Sequence, residues 1–121
     1  MVESLAELDT DFLFVYGALR GGFPLHHHLR RMGAEFVAAG KVQAELFDLG
    51  KFPGARKPTK PWKIVEGEVY RLRRAVNALK VLDQVEGFSP RAPEKSFFQR
   101  ATTEVVLPNG GRRVAWIYWY R

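Results

Sequence analysis

The sequence predicts a mixed α/β domain, and three observations carry that prediction. A continuous apolar run, Phe12-Leu13-Phe14-Val15-Tyr16, leads straight into a glycine-rich turn, the pattern of a strand buried on both faces. A second stretch, Arg74 to Glu86, places Ala75, Ala78, Leu79, Leu82 and Val85 on one helical face and Asn77, Lys80 and Gln84 on the other. Near the end, Trp116, Tyr118 and Tyr120 alternate with Ile117 and Trp119, so aromatic and aliphatic side chains fill both faces of one strand. Such a strand is either central or part of a curled, barrel-like sheet.

With 121 residues the chain is long enough to bury about two thirds of its unfolded surface in one domain. That domain is expected over residues 12–121, behind an acidic leader, 1–11, that is expected to be loose. Its 46% hydrophobic and 26% charged residues match a soluble globular protein, and no apolar run approaches the roughly 18 residues of a membrane span. The leader holds Glu3, Glu7, Asp9 and Asp11 without a Lys or Arg, the reverse of a targeting peptide, so a cytoplasmic location is expected. Cys is absent, which excludes disulfides, thiolate metal sites and a Cys nucleophile.

The net charge of +6 becomes +10 when the four leader acids are set aside, which admits a polyanion as partner. The basic residues nevertheless fall in scattered pairs (Arg30-Arg31, Arg73-Arg74, Arg112-Arg113), without a run or a helical stripe. This distribution favours a solvated surface over nucleic-acid binding.

After the first strand, Gly17, Gly21 and Gly22 free the backbone to aim N–H groups at a small anion or a polarised carbonyl. Neither a P-loop nor a dinucleotide fingerprint is present, and a plain strand-to-helix connection is the competing reading. Pro24 stands at a first helical position, with Leu25, His28, Leu29 and Met32 at helical spacing before Gly33. His26, His27 and His28 point about 100° apart on such a helix, so they do not converge on a metal, and only His28 is expected to face the core.

From Glu35 to Leu49 a long bent strand or a strand pair is expected, with a bulge or bend at Gly40. Gly50 to Pro61 holds Pro53, Pro58, Pro61 and Gly54, and reads as an irregular loop bordering a pocket. Lys63 to Leu72 resumes strand character, with Gly67 marking a close backbone approach. In the helix that follows, Glu86 falls between Leu79 and Leu82 on the apolar arc and within the last turn. Lost hydration and the negative end of the helix dipole both raise its pKa toward neutrality, the condition a general acid or base needs. The competing reading ends the helix a residue or two early and leaves Glu86 in water. Ser89 to Lys95 reads as a second loop, and Pro108-Asn109-Gly110-Gly111 joins two final strands as a hairpin.

Four segments taken together, Tyr16-Gly17-Ala18-Leu19, Val65-Glu66-Gly67-Glu68-Val69-Tyr70, Leu82-Asp83-Gln84-Val85-Glu86 and Trp116-Ile117-Tyr118-Trp119-Tyr120, resemble the gamma-glutamylcyclotransferase-like family. The resemblance runs in order from Phe12 onward. Its motifs (Y-G-S/T-L, V-x-G-E-V-Y, L-D-x-x-E) are specific as a set, and the short length with Phe97-Phe98-Gln99-Arg100 is most similar to the small gamma-glutamylamine cyclotransferase branch.

The resemblance implies a small mixed β-barrel with a few flanking helices, and a transferase or lyase that releases 5-oxoproline from a gamma-glutamyl amine or amide. It assigns Tyr16, Gly17, Ala18 and Leu19 to binding the gamma-glutamyl group, and Glu86 to taking the proton of the substrate's α-amine. It implies neither metal nor cofactor, and a small-molecule partner. Holding the substrate folded supplies proximity, and backbone N–H groups at the turn would stabilise the oxyanion. Two positions depart from the family pattern: Ala18 stands where Ser or Thr is usual, and Phe98 where Tyr is usual. Rival readings of the same chain are a hydrolase or acyltransferase using the same pocket, a basic binding module, and a family member that binds without turnover.

Overall fold

The computed structural model describes residues 10–16, 26–48, 53–89, 91–96 and 98–120. Strands β1 (Phe12–Val15), β2 (Glu35–Gln43), β5 (Ile64–Arg71), β6 (Phe98–Val106) and β7 (Arg112–Tyr120) close a barrel in the order β1-β5-β2-β6-β7. Strands β3 (Glu45–Asp48) and β4 (Pro53–Arg56) form a separate two-stranded sheet. The helices among the described residues are α1 (His26–Arg31) and α2 (Ala75–Glu86), with a single turn of 3-10 helix at Pro93–Lys95 inside the expected second loop. None of them is long and apolar enough to cross a membrane.

β1 sits between β5, antiparallel to it, and β7, parallel to it, and so closes the barrel. Its alternation divides the core in two. Phe14 and Tyr16 join Val42, Val65, Val69, Val105 and Ile117 within the ring of strands. Leu13 and Val15 face outward and pack with Leu79 and Leu82 of α2. β7 divides likewise, Trp116 and Tyr118 going to the helix side and Ile117 to the barrel side. A two-sided strand of this kind has to be aromatic and aliphatic throughout, which is the pattern in the sequence.

Barrel closure depends on two glycines that face each other, Gly40 on β2 and Gly67 on β5. A Cβ on Gly67 would run into the carbonyl oxygen of Val15 and come within 2.6 Å of the Phe14 ring. The close approach expected there is therefore a backbone contact with β1. One on Gly40 would lie 2.5 Å from a Val105 methyl. Gly40 thus makes room for packing, and β2 passes through it without a break in pairing. The irregularity lies between Phe36 and Ala38, where the register with β5 shifts.

The expected irregular loop from Gly50 to Pro61 is corrected in part, because Pro53–Arg56 forms β4, paired with β3 through Leu46 opposite Ala55 and Phe47 opposite Gly54. Pro53 is tolerated as the first strand residue, where its missing N–H removes little from the ladder. Gly54 and Ala55 are buried, so tertiary packing outweighs their low strand propensity.

α1 begins at His26 among the described residues, and Pro24 and Leu25 lie outside them. It buries Leu29 fully and ends at Arg31, two residues before Gly33, whose φ is 72°. His26 and His28 are both half-buried, and the His26 ring packs 5.7 Å from that of Tyr70, so His28 does not face inward alone. In a helix of six residues the histidines occupy the first turn, where Tyr70 of β5 reaches His26.

Thr10 and Asp11, the last residues of the predicted leader, are tied to the barrel. The Trp116 indole N–H donates to the Thr10 carbonyl at 2.9 Å, and the Leu72 N–H donates to the Asp11 carbonyl at 2.7 Å.

Candidate active site

α2 delivers Glu86 to the end of the barrel at which β1 finishes. The helix runs through Glu86 and is stopped by Gly87 in the left-handed region at φ 69°, with the Gly87 N–H donating to the Gln84 carbonyl and the Phe88 N–H to that of Asp83. Glycine is the residue that takes this conformation without a Cβ clash. Glu86 is consequently the last helical residue. It is half-buried, and loss of hydration pushes its carboxyl up from 4.5 to about 7.

Its electrostatic neighbours include two buried tyrosines, since the Glu86 charge adds to the upward shift of both hydroxyls after burial, the larger cause. Tyr16 lies immediately beyond β1. Its hydroxyl donates to the Tyr118 carbonyl at 2.6 Å and accepts the Ala55 N–H at 3.1 Å, so β1, β4 and β7 meet on one oxygen. With its proton committed to a carbonyl, this hydroxyl acts as a strut. Tyr16→Phe removes the acceptor for the Ala55 N–H and is expected to cost about 1–3 kcal/mol in urea unfolding. A loss below about 0.5 kcal/mol would show that the strut carries little.

Tyr118 donates to Asp83 Oδ1 at 2.6 Å. The same carboxylate accepts Arg100 Nε at 2.8 Å and, through Oδ2, Arg100 Nη2 at 3.4 Å. Arg100 in turn lies over the Trp116 ring, 4.7 Å from its centroid. A forked guanidinium pair satisfies a buried carboxylate on both oxygens. Asp83, Arg100 and Tyr118 were not singled out as site residues from the sequence. A signal for Asp83 existed: it follows Leu79 by four residues and Leu82 by one, so it shares the apolar stripe that picked out Glu86.

Of the residues expected to bind substrate, the structure brings Tyr16 into the neighbourhood of Glu86, while Gly17, Ala18 and Leu19 lie outside the described residues. Phe98, in place of the family's usual Tyr, is buried against the edge of the Tyr120 ring, where it fills space on the helix side of the barrel. The three histidines join no group able to hold a metal ion among the described residues.

Solved structures of similar shape show the same fold. Bacillus subtilis YkqA superposes with a TM-score of 0.72 at 25% identity over 92% of this chain, and the chain spans 36% of the length of YkqA. An AIG2-like protein of Mus musculus superposes with a TM-score of 0.66 at 23% identity, covering 90% of this chain and 76% of its own. Residues 13–121 match the family model described as gamma-glutamyl cyclotransferase, AIG2-like, and the chain belongs to that family. A Methanocaldococcus jannaschii protein, named by inference as a gamma-glutamylcyclotransferase, is 29% identical over 111 residues, 91% of this chain and 84% of the relative.

Proposed function

We propose that this protein is a cytoplasmic enzyme that cyclises a gamma-glutamyl amine or amide, releasing 5-oxoproline and the free amine, with Glu86 as general acid and base. The observation that carries this reading is the place of Glu86, half-buried as the last residue of α2 with its charge acting on the buried Tyr16 directly after β1, next to the expected binding turn; burial there pushes its carboxyl up to about 7.

The substrate's α-ammonium cannot attack, so the ionised Glu86 first takes its proton. The freed amine nitrogen bonds to the side-chain carbonyl carbon and closes a five-membered lactam. Because nucleophile and electrophile belong to one molecule, holding the chain folded supplies much of the acceleration. The tetrahedral oxyanion is stabilised by N–H groups of the turn Tyr16, Gly17, Ala18 and Leu19, each worth a few kcal/mol (about 3). As the carbon–nitrogen bond to the leaving group breaks, Glu86 returns its proton to the departing amine, and the second proton, shed by the ring nitrogen as the lactam forms, passes by way of Glu86 to the same amine, which departs as an ammonium ion. No oxidant, reductant or metal enters the balance.

The test is a panel of gamma-glutamyl amines, amides and dipeptides incubated with the protein and analysed for products. Release of 5-oxoproline together with an equal amount of amine supports the reading. Glutamate as the product supports a hydrolase, and no product from any member supports binding without turnover.

A further inference from the structure

Two carboxylates lie on the buried side of α2, three residues apart: Asp83, which is 5% exposed, and Glu86. Residues with this separation sit on the same side of a helix, with Cβ atoms about 5–6 Å apart. Placing two anions so close in a partly dry site is costly unless one of them is neutralised. Arg100 neutralises Asp83 through two hydrogen bonds, and Tyr118 adds a third. The three partners come from α2, β6 and β7, so one carboxylate fastens the end of the helix to two barrel strands. Burial pushes the Tyr118 hydroxyl up, the Asp83 and Glu86 charges add to that shift and Arg100 opposes it, with Asp83 in direct hydrogen-bond contact. Among the described residues, the Glu86 charge acts on Tyr16 after β1 and on Tyr118 of β7, while Asp83, three residues before Glu86 on the same helix, carries Arg100 of β6 on its carboxylate.

We propose that Asp83 and Arg100 are positioning residues for Glu86: a charge-neutral pair, anchored to Tyr118, that fixes the last turn of α2 on the barrel and spares Glu86 a second uncompensated anion. This rests on the proposed role of Glu86 and adds a reason for the buried pair that stability alone does not supply. A purely structural clamp would be served equally by an apolar trio of the same volume. A neutral pair beside a proton-carrying carboxyl does something else, because removing either partner alone leaves a net charge next to it, of opposite sign in the two cases.

The experiment is a carbon-13 NMR titration of the Glu86 side-chain carboxyl in the full chain. Arg100→Gln leaves the Asp83 anion bare and is expected to raise the Glu86 midpoint by about one to two pH units. Asp83→Asn keeps the shape and leaves the Arg100 cation bare, so the midpoint is expected to fall by about one unit or more. The double variant restores neutrality and is expected to return within about 0.3 unit of the unmodified protein. Should Arg100→Gln not fold, the downward shift in the isosteric Asp83→Asn variant decides. A midpoint within about 0.3 unit of the unmodified protein in every folded single variant overturns the proposal. Because the titration reads Glu86 directly, it stands apart from the question of catalysis: undiminished 5-oxoproline release by Glu86→Gln would overturn the proposed base while leaving the charge coupling to be judged on its own shifts.

Discussion

Glu86→Gln is expected to reduce 5-oxoproline release by about a hundred- to ten-thousand-fold with the fold intact, the range general acid–base catalysis supplies. The amide keeps the size and hydrogen-bonding reach of the carboxyl and lacks only the proton exchange. The same substitution is expected to stabilise the protein above neutral pH. The Glu86 carboxyl lies at about 7 in the folded state against 4.5 ordinarily, so the folded state prefers it protonated. Its favourable contribution is complete below about 4.5 and is lost as pH rises through about 7. Beyond that point the Gln variant gains up to about 3 kcal/mol on the unmodified protein, from 1.36 kcal/mol per pKa unit. Loss of activity coupled to a gain in stability would mark Glu86 as a residue retained for chemistry. In the unmodified protein kcat/KM for the proposed reaction should climb with pH through about 7 as Glu86 ionises. Urea unfolding at pH 5 and pH 8, alongside the rate profile, checks both signs; equal stability of the two proteins at pH 8 would contradict the desolvated carboxyl.

The largest structural effect is expected from Gly67→Ala. The new methyl group would meet the Val15 carbonyl oxygen and the Phe14 ring, with ring atoms 2.6 and 2.9 Å away. A ring can turn, but a backbone carbonyl in the strand that closes the barrel has little freedom to move. Overpacking of a tight core costs about 1–3 kcal/mol and occasionally more, and this site belongs at or above the upper end, a substantial share of the 5–15 kcal/mol typical of a domain. Val15 precedes Tyr16, so the displacement also reaches the candidate site. Gly110→Ala provides the contrast: its φ is 85° and nothing lies within 4 Å of the added carbon, so the cost is backbone strain alone, about 1 kcal/mol. Urea unfolding of the two variants separates these cases; equal losses would show that the Gly67 contact is relieved by relaxation.

What could be read from the sequence follows from how far apart the interacting residues lie in the chain. Local periodicity suffices for β1, for α2 with Glu86 at its end, and for the hairpin that joins β6 and β7. Each of these signals fits within about a dozen residues, and together with the four segments that resemble the family they lead to the right family and barrel. The pairing of β3 with β4 was not legible, because Pro53 and Gly54 oppose strand formation locally and the strand exists through burial of Ala55 and its bond to Tyr16, 39 residues away. The position of the β2 irregularity was missed for a related reason. Gly40 looks like a break until Val105 and Val69 are known to press against it. The anchor of Asp83 draws on Arg100 and Tyr118, 17 and 35 residues distant, and no spacing rule announces it.

Intramolecular attack promoted by Glu86 is tested by running the reaction in water enriched in oxygen-18 and weighing the product. The unmodified protein is expected to release 5-oxoproline free of the heavy isotope, and Glu86→Gln almost none in the same time. Heavy oxygen in glutamate, or in 5-oxoproline formed from it, would mean that water was the nucleophile, and undiminished release by the Gln variant would mean that Glu86 is not the base.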